Sequence, residues 1–516
     1  MSILSRRLGF GLAAVSFFGG IGSAAAATCE SLSMLSLPHT TVMAAQAVPP
    51  GAFVPAKPFS MGTADPQPYK DLRAFCRVSA QLRPTQDSLI KFEVWMPIEG
   101  WNGKFLEVGN GGFSGEIWYP AMVQPLTQGY AIASTDTGHE GSVSDVSFAL
   151  NHPEKWIDFS YRAIHETALE AKAIIQAYYG GTPKHSYWSG CSTGGRQGLM
   201  EAQRYPADFD GIVAGAPANH LVTLSARYLW VAQALHRDAS SFIPPDKLLL
   251  LHDAVLKACD AMDGVQDGVL ENPARCTFDP QVLACRGTGD GACLTASQID
   301  AARAVYAPWM NPRTKQMIWP GLAAGSELGW ATGVGQVTPQ PMALALGIFQ
   351  YVAFKNPNWD WRSFDFDKDL AFAAKSAAAA DAGPNLKAYF DRGGKLLQYH
   401  GWADPGISPQ TSIDYFKSVL TASGGAAKLA DAYRLFMVPG MAHCRGGEGP
   451  DRFDAVSALD QWVDQKKAPE QLLTSRLRNG TVDRTRPLCV YPQVAMYKGS
   501  GSTDDAANFA CKSPPP

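Results

Sequence analysis

The sequence predicts an α/β fold in which a mostly parallel sheet carries helices on both faces and is interrupted by a large insertion. Apolar runs with strand character alternate with helical patterns between residues 89 and 215, as is typical of βαβ units. A glycine-containing turn joins one predicted strand directly to a helix. Strand signals pause after residue 218 and resume near residue 395, which favours an insertion over a C-terminal domain with a second sheet.

The individual elements follow from hydrophobic patterning. Continuous or alternating apolar runs predict strands at 89–96, 105–108, 130–135, 185–189, 211–215, 395–399 and 433–438. Helical patterns predict helices at 163–178 and 195–205. Helices between parallel strands are expected to cover the faces of the sheet.

The glycine-containing turn is Gly190-Cys191-Ser192-Thr193-Gly194, between the predicted strand 185–189 and the predicted helix 195–205. A G-x-S-x-G sequence in that context is the nucleophile elbow of an α/β hydrolase, where small neighbours allow a strained turn to expose the serine. Ser192 is therefore the predicted nucleophile, and the backbone N–H of Thr193 is a predicted oxyanion donor. The predicted fold class is an α/β-hydrolase fold with a large inserted lid domain.

The acid and the base of the predicted triad follow two later strands. In α/β hydrolases the acid and then the histidine come after the serine in the chain. Asp404 follows the predicted strand 395–399, and His443 follows the predicted strand 433–438. We expect His443 to accept the Ser192 proton, and Asp404 to fix the imidazole tautomer and stabilise the imidazolium.

The N-terminus has the features of an export signal. Arg6 and Arg7 precede an apolar stretch, and Ala25-Ala26-Ala27 offers a small-residue cleavage site. Residues 1–27 are therefore interpreted as a signal peptide, and the mature protein as secreted or periplasmic without membrane association. An uncleaved membrane anchor is the alternative, but the apolar stretch is short and rich in Gly and Ala.

The change in patterning after residue 218 suggests domain boundaries. Residues 28–218 and 383–516 are expected to form the catalytic domain, and residues 219–382 the lid domain. The net charge of −3 and the pI near 6.4 give no electrostatic basis for binding nucleic acid or an anionic membrane. The expected partner is a small-molecule substrate.

All ten cysteines lie beyond the predicted signal peptide, which favours five disulfides in an oxidising compartment. Spacing alone does not determine connectivity. Short loops favour Cys259–Cys276, Cys285–Cys293 and Cys489–Cys511, and position favours Cys29–Cys76. Cys191 and Cys444 then remain, one beside the predicted nucleophile and the other beside the predicted base.

These motifs together resemble the tannase and feruloyl esterase family, which also includes hydrolases of mono(2-hydroxyethyl) terephthalate. The resemblance rests on Gly190-Cys191-Ser192, Asp404 and His443-Cys444, and it spans about Cys29 to Cys511. Further matching motifs are Trp101-Asn102-Gly103, Gly109-Asn110-Gly111-Gly112 and the tail from Arg486-Pro487-Leu488-Cys489 to Asn508-Phe509-Ala510-Cys511. The resemblance implies a triad whose serine and histidine are linked through their neighbouring cysteines.

The early glycine loop is expected to complete the oxyanion hole, because missing side chains let the backbone approach a carbonyl oxygen. The resemblance assigns this role to Gly112, with Gly111 as the nearest alternative. It also implies a serine esterase that forms an acyl-enzyme from an aromatic acid, with feruloyl, other hydroxycinnamoyl or galloyl esters first. Terephthalate monoesters, a non-catalytic binding protein on the same fold and a peptidase are the alternatives.

A short acidic loop predicts a metal site. Residues 259–269 contain three aspartates and two glycines, and Ca²⁺ prefers carboxylate and carbonyl oxygens on a sharply turning chain. A solvated acidic loop is the alternative, since the EF-hand spacing is absent. The resemblance implies a structural Ca²⁺ in the lid, held by side chains of Asp260, Asp263 and Asp267 and by carbonyls of Val265 and Val269.

Overall fold

The computed structural model describes residues 27–57, 59, 67–235, 240–286, 292–311, 313–331 and 341–514. The expected signal peptide lies outside these residues except for Ala27. Within the described ranges, none of the helices has the length and apolar character needed to cross a membrane.

A nine-stranded sheet forms the centre of the molecule, in the order β1-β2-β3-β5-β4-β6-β7-β10-β11. Its antiparallel side is built from β1, β2 and β3, which pairs with β5. The six strands from β5 to β11 are parallel to one another. The strands are β1 Thr40–Val48, β2 Phe75–Leu82, β3 Ile90–Pro97, β4 Lys104–Val108, β5 Ala131–Thr135, β6 His185–Cys191, β7 Gly211–Gly215, β10 Lys395–Gly401 and β11 Tyr433–Val438.

Helices cover both faces of this sheet and build most of the insertion. They are α1 Gln67–Lys70, α2 Tyr119–Thr127, α3 Pro153–Ile157, α4 Ala163–Tyr179, α5 Thr193–Arg204, α6 Leu221–Leu235, α7 Pro245–Cys259, α8 Ala296–Tyr306, α9 Ala343–Gly347, α10 Lys368–Ser376, α11 Lys387–Asp391, α12 Gln410–Ala422 and α13 Ala455–Gln465. The seven predicted strands and both predicted helices are present, with ends that differ by a few residues.

The core lies on the two faces of the sheet. Trp188 of β6 packs on the face covered by α4 and α5, whereas Tyr187 packs on the opposite face with Trp462 of α13. Successive side chains of a strand point to opposite faces, so both positions of a central strand are buried here. This burial explains why the central strands form continuous apolar runs in the sequence.

The chain between β7 and β10 adds no described strand to the nine-stranded sheet. It contains α6 to α11 and a small hairpin of β8 Trp309–Met310 and β9 Met317–Trp319. One apolar cluster lies within this segment and includes Leu251 and Trp330. A second cluster joins Tyr228 of α6 to Phe113 and Ile407, so the segment packs directly on loops that follow β4 and β10.

Sequence patterning missed the outer strands. β1 is an Ala-rich edge strand with mostly exposed side chains, so it lacks an apolar period. Beyond α13, two antiparallel hairpins form from β12 Gln471–Arg478 with β13 Thr481–Cys489 and from β14 Val494–Tyr497 with β15 Phe509–Lys512. The five disulfides are Cys29–Cys76, Cys191–Cys444, Cys259–Cys276, Cys285–Cys293 and Cys489–Cys511. The last three are the pairs that short loops favoured, and the first two are those expected from position and from the cysteines that remained.

Candidate active site

Ser192 occupies a sharp turn between β6 and α5. Its backbone has φ 63° and ψ −120°, a conformation that side-chain-bearing residues rarely adopt. Close packing explains the neighbouring glycines. A Cβ on Gly190 would lie 2.7 Å from the Gly194 backbone, and one on Gly195 would lie 2.2 Å from the carbonyl oxygen of Gly215. The turn therefore has the geometry expected of a nucleophile elbow.

Asp404 lies just beyond β10 and is fully buried. Its Oδ1 accepts hydrogen bonds from the backbone N–H groups of Gly406 at 2.8 Å and Ile407 at 2.9 Å. Its Oδ2 lies 2.6 Å from Nδ1 of His443 and 3.2 Å from Nε2 of His400. The carboxylate is thus surrounded by four donors, and sequence reasoning had identified only one of them.

Electrostatics within this group favour an ionised acid. Burial alone would raise the pKa of Asp404, but His443 and His400 together lower it below its ordinary value. Burial tends to lower the pKa of His443, and the Asp404 carboxylate raises it above its ordinary value. The imidazole of His443 is about 35% exposed, so its other nitrogen remains accessible. This arrangement suits a base that must become positively charged during a reaction.

The Cys191–Cys444 disulfide connects the elbow to the loop that carries His443. Its Cα atoms are 6.0 Å apart, and Ser192 and His443 are the immediate neighbours of the two cysteines. A Cβ on Gly401 would lie 2.3 Å from the Met441 carbonyl, so the Asp404 and His443 loops are also in contact. Ser192 Oγ makes no hydrogen bond to His443 within the described part of the chain. The structure therefore brings all three residues to one edge of the sheet, with Asp404 and His443 directly bonded.

The glycine loop lies against the start of α5. The Thr193 hydroxyl donates to the Gly112 carbonyl at 2.7 Å, and the Gly194 N–H donates to the Asn110 carbonyl at 2.8 Å. Gly112 has φ 54°, and a Cβ there would lie 2.4 Å from the Val143 carbonyl. Among the described residues, the backbone N–H groups of Gly112 and Thr193 have no hydrogen-bond partner. Two free donors therefore lie on adjoining segments beside Ser192.

Polar side chains hold this loop in place. Gln197 of α5 accepts from the Asn110 N–H at 3.1 Å and donates to the Asn110 side chain at 3.2 Å. His139 Nε2 lies 2.8 Å from the Phe113 carbonyl, directly after Gly112. Sequence reasoning missed Gln197. Residues 193–202 of α5 are all buried, but the partner Asn110 lies 87 positions earlier in the chain, so no local pattern identifies the contact.

The acidic loop is closed by hydrogen bonds from its own backbone N–H groups to its aspartates, and two of the three bonds are of the Asx type. Asp260 accepts from the Gly268 N–H at 3.0 Å, Asp263 from the Val265 N–H at 2.9 Å and Asp267 from the Val269 N–H at 3.2 Å. These bonds bring the three predicted carboxylates and both valines of the predicted metal site into one loop.

Charge is only partly compensated in this loop. Among the described residues, Oδ1 of Asp260 is buried without a hydrogen-bond partner. Burial and the neighbouring Asp267 and Asp260 raise the pKa of Asp263 to about 6, and burial raises the pKa of nearby Glu271 to about 8. Asp267 forms ion pairs with Arg484 and Arg486.

A second group of potential metal ligands lies elsewhere. Ligand atoms of His165, Glu201 and Asp208 lie within 4.8 Å of one another, on α4, on α5 and just after α5. His165 Nδ1 is 2.6 Å from Asp208 Oδ2, so this pair is already hydrogen-bonded. Sequence reasoning missed the trio because its members are far apart in the chain and match no ligand spacing.

The sequence is similar to known esterases over most of its length. A family model described as tannase and feruloyl esterase matches residues 76–512. An uncharacterized esterase of Xanthomonas campestris pv. campestris is 38% identical over 96% of this chain and 92% of its own length. A probable feruloyl esterase B-2 of Aspergillus oryzae is 32% identical over 92% of this chain and 93% of its own length.

The solved structures agree with the sequence relatives. The crystal structure of feruloyl esterase B from Aspergillus oryzae has a TM-score of 0.85 and 30% sequence identity. The match covers 94% of this chain and 99% of that chain. It confirms the predicted α/β-hydrolase fold, and together with the family match it favours catalysis over the non-catalytic scaffold that shares this fold.

Proposed function

The chain belongs to the tannase and feruloyl esterase family and is a carboxylic ester hydrolase, and from this premise we propose that it is an exported serine esterase that cleaves esters of aromatic acids through an acyl-enzyme. This mechanism is supported above all by the 2.6 Å bond between Asp404 and His443, whose neighbour Cys444 is joined by a disulfide to Cys191, the residue before the strained Ser192.

In the proposed reaction, His443 Nε2 takes the Ser192 proton as Oγ attacks the ester carbonyl carbon. The N–H groups of Gly112 and Thr193 stabilise the oxyanion of the tetrahedral intermediate. Collapse breaks the bond to the alcohol oxygen, which receives the proton from His443, and leaves the acid as an ester of Ser192. Water then attacks with His443 again as base, releasing the acid and restoring the serine.

We also propose that the acidic loop holds a structural Ca²⁺. The side chains of Asp260, Asp263 and Asp267 and the carbonyls of Val265 and Val269 would hold it, because calcium prefers such oxygen ligands. The unpartnered Asp260 oxygen and the raised pKa of Asp263 are consistent with a loop that lacks a cation. A bound ion would neutralise these carboxylates and stabilise the folded loop, and we assign it no step in the reaction.

The proposal includes a signal peptide at 1–27, a catalytic domain at 28–218 and 383–516, and a lid at 219–382. The absence of any described strand from 219–382 in the main sheet supports this division. Five disulfides are typical of secreted or periplasmic proteins, which supports export.

Feruloyl or galloyl esters are the first candidate substrates, because relatives are named feruloyl esterases. Terephthalate monoesters, which carry a free carboxylate, are the second. The lid arginines Arg303, Arg313 and Arg362 each pair with an aspartate at the surface, which disfavours them as carboxylate ligands. Arg227 of α6 is buried, and two of its guanidinium nitrogens have no acceptor among the described residues, but no described contact links it to the triad.

A kinetic panel tests this proposal. Purified mature protein is assayed with methyl ferulate, methyl gallate, mono(2-hydroxyethyl) terephthalate and the amide analogue of the best ester. We expect ester turnover that a serine-directed inhibitor and Ser192→Ala both abolish, with methyl ferulate or methyl gallate cleaved faster than the terephthalate monoester. Full activity of Ser192→Ala would refute the serine mechanism, and faster cleavage of the amide would indicate a peptidase.

A further inference from the structure

A second histidine contacts the carboxylate of Asp404. His400 lies near the end of β10 and is fully buried, with no exposed side-chain surface. Its Nε2 is 3.2 Å from Oδ2 of Asp404 and 3.1 Å from the Ile407 carbonyl oxygen, and its Nδ1 is 2.7 Å from the hydroxyl of Ser412. The imidazole thus connects α12 to the acid of the proposed triad.

These partners require a proton on Nε2 of His400. Both groups facing Nε2 are acceptors, a carboxylate and a carbonyl, so Nε2 donates. When the ring carries this proton alone, Nδ1 is an acceptor and the Ser412 hydroxyl donates to it. Hydrogen bonds therefore run from Ser412 through His400 to Oδ2 of Asp404. His443 donates to the same oxygen.

We propose that His400 is a positioning residue for the esterase reaction. With the Ser412 hydroxyl donating to Nδ1, the Nε2–H group of His400 fixes the orientation of the Asp404 carboxylate and keeps it ionised. The inference rests on the proposed function, since it assumes that Asp404 and His443 form the acid–base pair. A fully buried carboxylate is stable only when its lone pairs are satisfied. His400 supplies one of four donors and prevents rotation of Oδ2 away from His443.

The other charged and titratable groups around Asp404 do not replace this contact. His443 uses Oδ2 from the opposite side, and Gly406 and Ile407 occupy Oδ1. Tyr228 of α6 faces the same loop, but burial raises the pKa of its hydroxyl, so it stays neutral through the working pH range. Loss of His400 would leave Oδ2 with one donor and make the carboxylate more basic.

The test compares His400→Leu, His400→Gln and Ser412→Ala with the parent in the full-length mature enzyme. His400→Leu removes the donor, and we expect kcat to fall by about 10- to 100-fold with KM changed less than about threefold. The acid limb of the kcat/KM profile should move to higher pH, because a more basic carboxylate holds the proton of the Asp404–His443 pair more tightly. His400→Gln keeps a donor and should recover part of kcat, and Ser412→Ala should shift the limb in the same direction by less.

His252→Gln is the matched control, because His252 is a buried lid histidine whose Nδ1 lies 2.8 Å from the Glu327 carboxylate. It should lower the melting temperature without moving the acid limb. An unchanged kcat and acid limb in folded His400→Leu would overturn the proposal. If that variant does not fold, unchanged profiles in both His400→Gln and Ser412→Ala would overturn it. Retained activity of Ser192→Ala would instead refute the proposed function. The pH profiles would then report on a mechanism that does not use Ser192.

Discussion

The triad and the acidic loop both bury carboxylates, and they compensate for the buried charge in different ways. Asp404 is fully enclosed, yet four donors surround it and its pKa lies below the ordinary value. In the acidic loop the pKa of Asp263 is raised to about 6, and one oxygen of Asp260 has no hydrogen-bond partner among the described residues. Protein groups alone satisfy the carboxylate of Asp404, whereas the acidic loop has more carboxylates than positively charged partners.

This difference assigns the two regions different tasks. A carboxylate that stays ionised beside an imidazole can stabilise a transient positive charge, as the proposed reaction requires. Crowded carboxylates with raised pKa values gain stability by binding either protons or a cation. We therefore expect changes at Asp404 to affect turnover and changes in the acidic loop to affect stability.

The largest effect is expected from Asp404→Asn. The amide keeps the size of the side chain but cannot hold His443 in the correct tautomer or stabilise its charged form. Turnover should fall by about 10⁴-fold, with a melting temperature within a few degrees of the parent. The measurement is kcat on the best aromatic ester. A decrease in kcat of less than tenfold would mean that another residue is the acid of the mechanism. Asp404 and the acidic loop would then no longer differ in their effect on turnover.

The second effect concerns the Cys191–Cys444 disulfide, which closes a loop across 253 positions of sequence. Chain-entropy reasoning gives it about 5 kcal/mol of nominal stabilisation. Replacing both cysteines with serine should also lower kcat by about a hundredfold at a temperature where the variant is folded, because Ser192 and His443 lose their shared constraint. The matched control is Cys285→Ser with Cys293→Ser, which opens a lid disulfide away from the triad. Equal kcat in the Cys191/Cys444 variant and the parent would contradict the expectation.

The third effect is expected in the acidic loop. Chelation of calcium, or Asp263→Asn, should lower the melting temperature by several degrees while kcat of the folded enzyme changes less than about threefold. Elemental analysis of the native protein should find about one calcium per chain, and Asp263→Asn should reduce it. An unchanged melting curve after chelation together with a calcium-free native protein would leave this loop as an acidic turn closed by its own hydrogen bonds.

The sequence predicted the structure correctly where a residue pattern is compatible with only one local structure. The central strands are buried on both faces, so their apolar runs located them, and the elbow glycines are required by contacts below 3 Å. The edge strand β1 has no such pattern because most of its side chains face solvent. His400 and Gln197 could not be assigned, because their partners are distant in sequence or are backbone groups that only the folded loops bring close.

The smallest effect is a reversal in how stability depends on pH. Without calcium, Asp263 has a folded pKa of about 6 against an unfolded value near 3.9, so the folded state binds more protons between about pH 4 and 6. Stability of the chelated protein should therefore rise as the pH falls through this window, by a few degrees in melting temperature at most. Glu271, with a folded pKa of about 8, extends the same trend upward.

With calcium bound, the sign should be opposite, because the ligands must be ionised and protons compete with the ion. Asp404 adds nothing in this window, since its pKa is lowered and its contribution is lost only below about pH 4. Melting curves at pH 4, 5 and 6 with calcium and with chelator give the two slopes, and Asp263→Asn should flatten the chelated one. Parallel slopes in both conditions would mean that the loop carboxylates do not bind the ion, and the difference between the two regions would then lie in protonation alone.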